Sequence, residues 1–160
     1  MKYEFLLFDA DNTILDFDKS EELALRLALE NASVKFDENV LSVYKRNNIA
    51  CWEKLERGEM TKDQVLVERF LLTAKELGWK IDVDKVAVDY ENELKNGFFV
   101  VPHSREVLAE TVKRGHKLYL VSNGVLAIQN SRMAGSDMNK YFIKRFISEE
   151  VGCPKPQVEF

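Results

Sequence analysis

Cysteine is scarce in this chain: Cys51 and Cys153 are the only two in 160 residues, with no paired spacing to each other or to a histidine. Neither a disulfide framework nor a paired-thiol site is indicated. Cys51 stands beside Trp52 in a helical pattern, where a buried apolar thiol is the expected reading. Long hydrophobic runs are also missing. The apolar stretch Phe5 to Phe8 is too short for a signal peptide and runs straight into Asp9 and Asp11. No stretch approaches the length that crosses a bilayer. A reducing cytoplasm and no membrane partner are therefore expected. Positive charge is not in excess either, with 23 Lys and Arg against 27 Asp and Glu and a net charge of −4. Nucleic-acid polymers are thereby excluded as the main partner, because binding them requires a basic surface. Small anionic substrates remain open, since a pocket needs only a few local positive groups.

What is present is an ordinary globular balance of 46% hydrophobic and 31% charged residues. A chain of this length can bury a core without staples. Residues 4–8 form a nearly continuous apolar run ending at Asp9, the pattern of a buried parallel strand. Residues 117–121 repeat it, ending in Ser122-Asn123-Gly124, and a weaker run at 145–148 leads toward Gly152. Helical periodicity fills the stretch between the first two strands. One helix over 20–31 places Leu23, Leu27 and Ala28 on a face. Asp37 caps another carrying Val40, Leu41 and Tyr44 on to Gly58. Thr61 and Gln64 form a capping box ahead of a third, which stops at Gly78. Asp82 or Asp84 opens a fourth, and Ser104 caps a fifth that ends at Gly115. The order predicts an α/β fold: a Rossmann-like parallel core over 1–16 and 98–160, with an inserted α-helical cap over 17–97.

In an open parallel sheet, ligands bind at the C-terminal strand ends. Three such ends carry suggestive groups. Asp9 and Asp11 are two residues apart in Asp9-Ala10-Asp11-Asn12-Thr13, so in extended chain both carboxylates share a face. The same residues also suit a plain polar turn. Ser122 and Asn123 offer a hydroxyl and an amide to an anion, and Gly124 lets backbone approach it, although turn residues alone would read alike. Lys155 offers a point charge, as any surface lysine does.

In combination and in this order, the segments resemble the haloacid dehalogenase superfamily. Asp9-Ala10-Asp11-Asn12-Thr13 is similar to its first motif, Val121-Ser122-Asn123-Gly124 to its second, and Gly152-Cys153-Pro154-Lys155-Pro156 to its third. Within it, Phe8 to Phe17 and Ile147 to Gly152 resemble bacterial pyrimidine 5′-nucleotidases. The resemblance implies a Mg²⁺-dependent phosphatase acting on small phosphate monoesters, chiefly nucleoside 5′-monophosphates, through an aspartyl-phosphate. Asp9 would be the nucleophile, Asp11 the general acid and base, and Lys155 the charge-neutralising catalytic group. Thr13, Ser122, Asn123 and Gly124 would bind substrate. Mg²⁺ would be held by Asp9 and by Asp11 or Ala10 through a backbone carbonyl. The dehalogenase branch lacks an acid at position 11, so Asp11 points to phosphate chemistry. In the cap, Tyr44, Trp52 and Phe70 fall on apolar faces, so core packing is expected, with base stacking as the alternative.

The family pattern continues to a fourth, acidic motif that this sequence does not reach. A C-terminally truncated, incomplete core is therefore expected, ending within a helix after Lys155. Its first strand would lie at an exposed edge and invite dimerisation through strand pairing. The alternative reading is a catalytically inactive module that binds phosphate or a partner. A phospho-accepting signalling domain shares the Asp, Ser and Lys chemistry, but the long helical insert weighs against it.

Overall fold

The computed structural model describes residues 3–160. Strands β1 (Phe5–Asp9), β2 (Lys117–Ser122) and β3 (Lys144–Ile147) form a parallel sheet in the order β1-β2-β3. Seven α-helices accompany them among the described residues: α1 (Phe17–Asn31), α2 (Glu38–Glu56), α3 (Lys62–Leu77), α4 (Val83–Leu94), α5 (Ser104–Lys113), α6 (Leu126–Gly135) and α7 (Ser148–Val151). The chain divides into two compact units. The core unit runs to Glu21 and resumes at Lys95, and the helical unit is Glu22–Leu94. The crossings thus fall a few residues inside the segment 17–97. The fold is the α/β, Rossmann-like arrangement that the strand pattern predicts.

In the core unit, register explains the placement of chemistry. Asp9 pairs with Val121 and Ser122 with Ile147, so two chemistry-bearing residues close adjacent strands at the same end. Alternation along β2 buries Leu118, Leu120 and Ser122 on one face. Leu118 and Leu120 pack with Ala10, Ile14, Leu15, Leu108, Met133 and Met138. The opposite face carries Phe5, Tyr119 and Phe146 in a row, with ring centroids 6.1 Å apart at each step. There Phe5 and Leu7 remain 55% and 67% exposed. Among the described residues β1 pairs only with β2, which leaves it at the sheet edge.

The helical unit has its own core. Tyr44 of α2, Phe70 of α3 and Tyr90 of α4 are buried against one another with centroids 5.1–5.7 Å apart. Tyr44 and Phe70 are thus core residues, while Trp52 is half-buried. The Arg69 guanidinium lies 4.7 Å from the Tyr90 ring centre and adds a cation–π contact. The predicted caps form: the Asp37 side chain accepts from the Val40 N–H, and Thr61 and Gln64 make the reciprocal capping box. Asp82, rather than Asp84, accepts from the Lys85 N–H at the start of α4.

Three local expectations are corrected. Helix α1 buries Ala24, Leu25, Ala28 and Leu29 rather than a stripe through Leu23, which is 40% exposed. The apolar residues on that helix are dense enough to define two overlapping stripes, and packing selects one. Ser104 is the first residue of α5 rather than its cap; His103 is the capping residue, in left-handed conformation, and has no side-chain cap bond. Residues 153–160 form turns instead of helix, with i→i+3 bonds from Gln157 to Pro154 and from Phe160 to Gln157.

Candidate active site

The first motif is shaped by its backbone. After β1 the chain folds back, and the Ala10 carbonyl accepts from the N–H groups of Ile14 (3.0 Å) and Leu15 (2.9 Å). Asn12 takes a left-handed φ of 55°, a region that asparagine tolerates better than most residues. Its side-chain oxygen then accepts from the N–H groups of Phe17 (3.0 Å) and Asp18 (3.1 Å), capping α1. Segment 99–101 clamps this loop, through Asp16 N–H to the Phe99 carbonyl and Val101 N–H to the Ile14 carbonyl. The loop therefore holds Asp9 and Asp11 on a fixed frame.

Each carboxylate has a separate cation. Lys155 Nζ donates to Asp9 Oδ1 at 2.6 Å and lies 3.4 Å from the Val121 carbonyl oxygen. Arg132 Nη1 donates to Asp11 Oδ1 at 2.6 Å, and Gln129 Nε2 donates to Asp11 Oδ2 at 2.7 Å. Asp9 and Lys155 keep partial solvent access, at 45% and 31%, whereas Arg132 is sealed at 1%.

The second motif supports the third. The Asn123 carboxamide binds the Lys155 backbone in both directions, accepting from its N–H at 2.7 Å and donating to its carbonyl at 2.9 Å. In this arrangement Asn123 holds Lys155 in place with its side chain. Ser122 Oγ accepts from the Gly124 N–H at 3.0 Å and from Gln129 Nε2 at 2.8 Å. With both lone pairs engaged, a hydroxyl has its proton left to offer an anion. A Cβ on Gly124 would come within 2.7 Å of Gln129 Nε2, so glycine here allows the Gln129 side chain its position. Thr13 is exposed beside these groups in sequence, and its carbonyl lies 3.5 Å from Ser104 Oγ.

The structure thus brings Asp9, Asp11, Ser122, Asn123, Gly124 and Lys155 to one end of the sheet. It adds two residues that sequence reasoning missed, Gln129 and Arg132. Their signal was available: they sit three apart on a helix, between apolar Ile128 and Met133, and so face the core together. Among the described residues, no group of three or more His, Cys, Asp or Glu side chains converges on a point. The donor set that does exist is one carboxylate, Asp9, with a backbone carbonyl nearby. The Ala10 carbonyl is occupied by two N–H groups, which leaves that of Asp11. Such oxygen donors fit a hard cation that keeps several waters and shares phosphate oxygens.

A parallel sheet with paired carboxylates and a lysine at its C-terminal end, and a helical unit inserted after its first strand, defines a class of α/β enzyme. The family model for haloacid dehalogenase-like hydrolases matches residues 3–159, and the chain belongs to that family. It is 34% identical over 159 residues to YfnB of Bacillus subtilis, described as a HAD-hydrolase, covering 99% of this chain and 67% of that protein. It is 33% identical to the pyrimidine 5′-nucleotidase PynA of Streptococcus pneumoniae, over 100% of this chain and 68% of that one. The pyrimidine 5′-nucleotidase YjjG of Escherichia coli is 29% identical, over 98% and 67%. The crystal structure of YfnB, described as bound to magnesium and as revealing interdomain movement, superposes with a TM-score of 0.93 over 98% of this chain and 70% of that one. The chain spans about two thirds of the length of these relatives.

Proposed function

We propose that the chain carries the phosphate-transfer site of a phosphatase acting on small monoesters, with nucleoside 5′-monophosphates as the preferred class. The observation that carries this reading is the 2.6 Å contact between Lys155 Nζ and Asp9 Oδ1 at the strand ends, with Asp11 two residues on. The nucleotidase names of PynA and YjjG support the substrate class.

The residues divide the reaction as follows. An Asp9 carboxylate oxygen attacks phosphorus while the phosphorus–ester oxygen bond breaks, and Asp11 passes a proton to the departing oxygen. A water then attacks the aspartyl-phosphate, loses its proton to Asp11, and releases phosphate with Asp9 restored. Lys155 offsets negative charge on the phosphoryl oxygens, and the Ser122 hydroxyl donates to one of them. Mg²⁺, held by the Asp9 carboxylate and the Asp11 carbonyl, would supply further charge neutralisation when bound.

A second reading has one observation in its favour. Among the described residues no three His, Cys, Asp or Glu side chains are placed to hold a metal together, which suits a module that binds phosphate without turnover. Phosphate release from a panel of nucleoside monophosphates and simple esters, with Mg²⁺ and with chelator, separates the two. Mg²⁺-dependent turnover led by pyrimidine nucleotides is the expected result. Phosphate binding with no release at any Mg²⁺ concentration would favour the binding module.

A further inference from the structure

We propose that Gln129 and Arg132 are positioning residues for Asp11, and that Arg132 ties this carboxylate to the two segments through which the chain leaves and re-enters the core unit. The inference rests on the phosphatase reading above.

Burial makes the first part of the case. Arg132 is 1% exposed, and a charge at that depth requires a partner. Its carboxylate partner is Asp11. A buried ion pair is weak evidence for stability, because well-packed apolar residues often serve as well. What the pair does is fix a group. Asp11 Oδ1 accepts from Arg132, Asp11 Oδ2 accepts from Gln129, and Gln129 Oε1 accepts from Arg132 Nη1 at 3.1 Å. The three side chains close a ring of hydrogen bonds that permits one carboxylate orientation. Each carboxylate oxygen still has a second acceptor site for a transferred proton. Gln129 is itself locked by Ser122 Oγ and by the space left at Gly124. Because Gln129 and Arg132 sit one turn apart on α6, the helix moves them as one piece.

The rest of the guanidinium faces the crossings. Arg132 Nε donates to the Gly97 carbonyl at 3.2 Å, and Nη2 lies 3.4 Å from Ser20 Oγ. Ser20 Oγ also lies 3.2 Å from the Gly97 carbonyl and 2.8 Å from that of Asp16, so the outgoing and returning segments are joined there. Gly97 lies two residues past the Lys95 crossing, and Ser20 just before Glu21. A shift in either segment therefore reaches Asp11 through one rigid, planar group.

The leaving group provides the test. Release of p-nitrophenolate needs no proton, whereas release of a nucleoside alkoxide does. Misplacing Asp11 should slow formation of the aspartyl-phosphate only for the second, and kcat/KM reads that step, whereas hydrolysis of the intermediate is common to both substrates. We would measure kcat and KM for Arg132→Lys, Gln129→Met and Ser20→Ala on a nucleoside monophosphate and on p-nitrophenyl phosphate, checking folding by thermal melt. The expected result is a kcat/KM loss of about 10- to 100-fold on the nucleotide for Arg132→Lys and Gln129→Met, short of the roughly 100- to 10,000-fold that loss of the acid itself would cost. For p-nitrophenyl phosphate kcat/KM should be retained, even where kcat falls because the intermediate hydrolyses more slowly. Ser20→Ala, which does not touch Asp11, should show the same selectivity in smaller degree. Equal losses of kcat/KM on both substrates, or none, overturn the proposal. If Arg132→Lys fails to fold, the other two variants decide. Wild-type protein that releases phosphate from neither substrate removes the phosphatase reading, and this inference with it.

Discussion

Arg132 Nη1 lies 2.6 Å from Asp11 Oδ1, pairing an arginine that is 1% exposed with an aspartate that is 30% exposed. Two residues earlier, Asp9 has a different cation, Lys155, at the same distance. Two carboxylates so close in sequence would repel if they shared one counter-charge. Each carboxylate instead has its own cation, and the two differ in kind: a rigid fork on Asp11 and a flexible point charge on Asp9.

That difference predicts different stability costs. Asp11→Ala leaves the Arg132 charge buried without its carboxylate, and should destabilise the fold by about 3 kcal/mol, the low end for a broken buried pair because Asp11 keeps some water access. Asp9→Asn removes one partner of a solvent-accessible pair and should cost no more than about 1 kcal/mol. Denaturant melts of the two variants beside wild type check this, and equal costs would contradict it.

Gly124→Ala should damage the site without unfolding it. The added Cβ would press on the Gln129 side chain at 2.7–2.9 Å. A side chain can move aside where backbone cannot, so the melting curve should shift little. Turnover should fall about tenfold or more, because Gln129 would leave Asp11 Oδ2. Retained turnover would show that Gln129 does not matter to Asp11.

The two cysteines should react very differently. Cys51 is fully buried in the helical unit, and burial, with Glu68 a lesser contributor, pushes its thiol above the ordinary range. Cys153 is half-buried in the turn before Lys155. A thiol reagent should label Cys153 in the native protein and Cys51 only on unfolding. The sign for stability also follows. The unfolded thiol ionises first, near pH about 8.5, so the contribution from a neutral Cys51 is intact below that pH and declines as pH rises through the folded value.

Edge strand β1 should make the 160-residue chain self-associate. Parallel sheets are usually covered on both faces, yet Phe5 and Leu7 lie open beside Tyr119 and Phe146, on a strand with one free edge among the described residues. A second copy presents the same strand. Sedimentation should show association rising with concentration, and Leu7→Lys should reduce it. A monomer at high concentration would contradict this.

Much of this was legible in the sequence because single residues carried it. Short apolar runs ending at Asp9 and Ser122 placed the strands. Asp37, Thr61 and Gly78 marked helix ends through local hydrogen bonds, and such signals do not depend on the rest of the fold. The α1 face was not legible, since Leu23, Leu25, Leu27 and Leu29 allow more than one stripe and tertiary packing chooses. Nor was the double role of Asn123, whose amide reads as a ligand group until Lys155 is seen 32 residues on, accepting and donating to it. Gln129 and Arg132 left a signal in their spacing beside Ile128 and Met133, but a polar pair on a helix reads as solvated until its burial is known.

Asp9 as nucleophile is the claim on which the account turns, and phosphate release by Asp9→Asn beside wild type, on the best nucleotide substrate with Mg²⁺, tests it most directly. Turnover by wild type with none above background in the variant is the predicted result, since an amide cannot form the aspartyl-phosphate. A variant that keeps an appreciable share of wild-type turnover would contradict the account, whatever else the site contains.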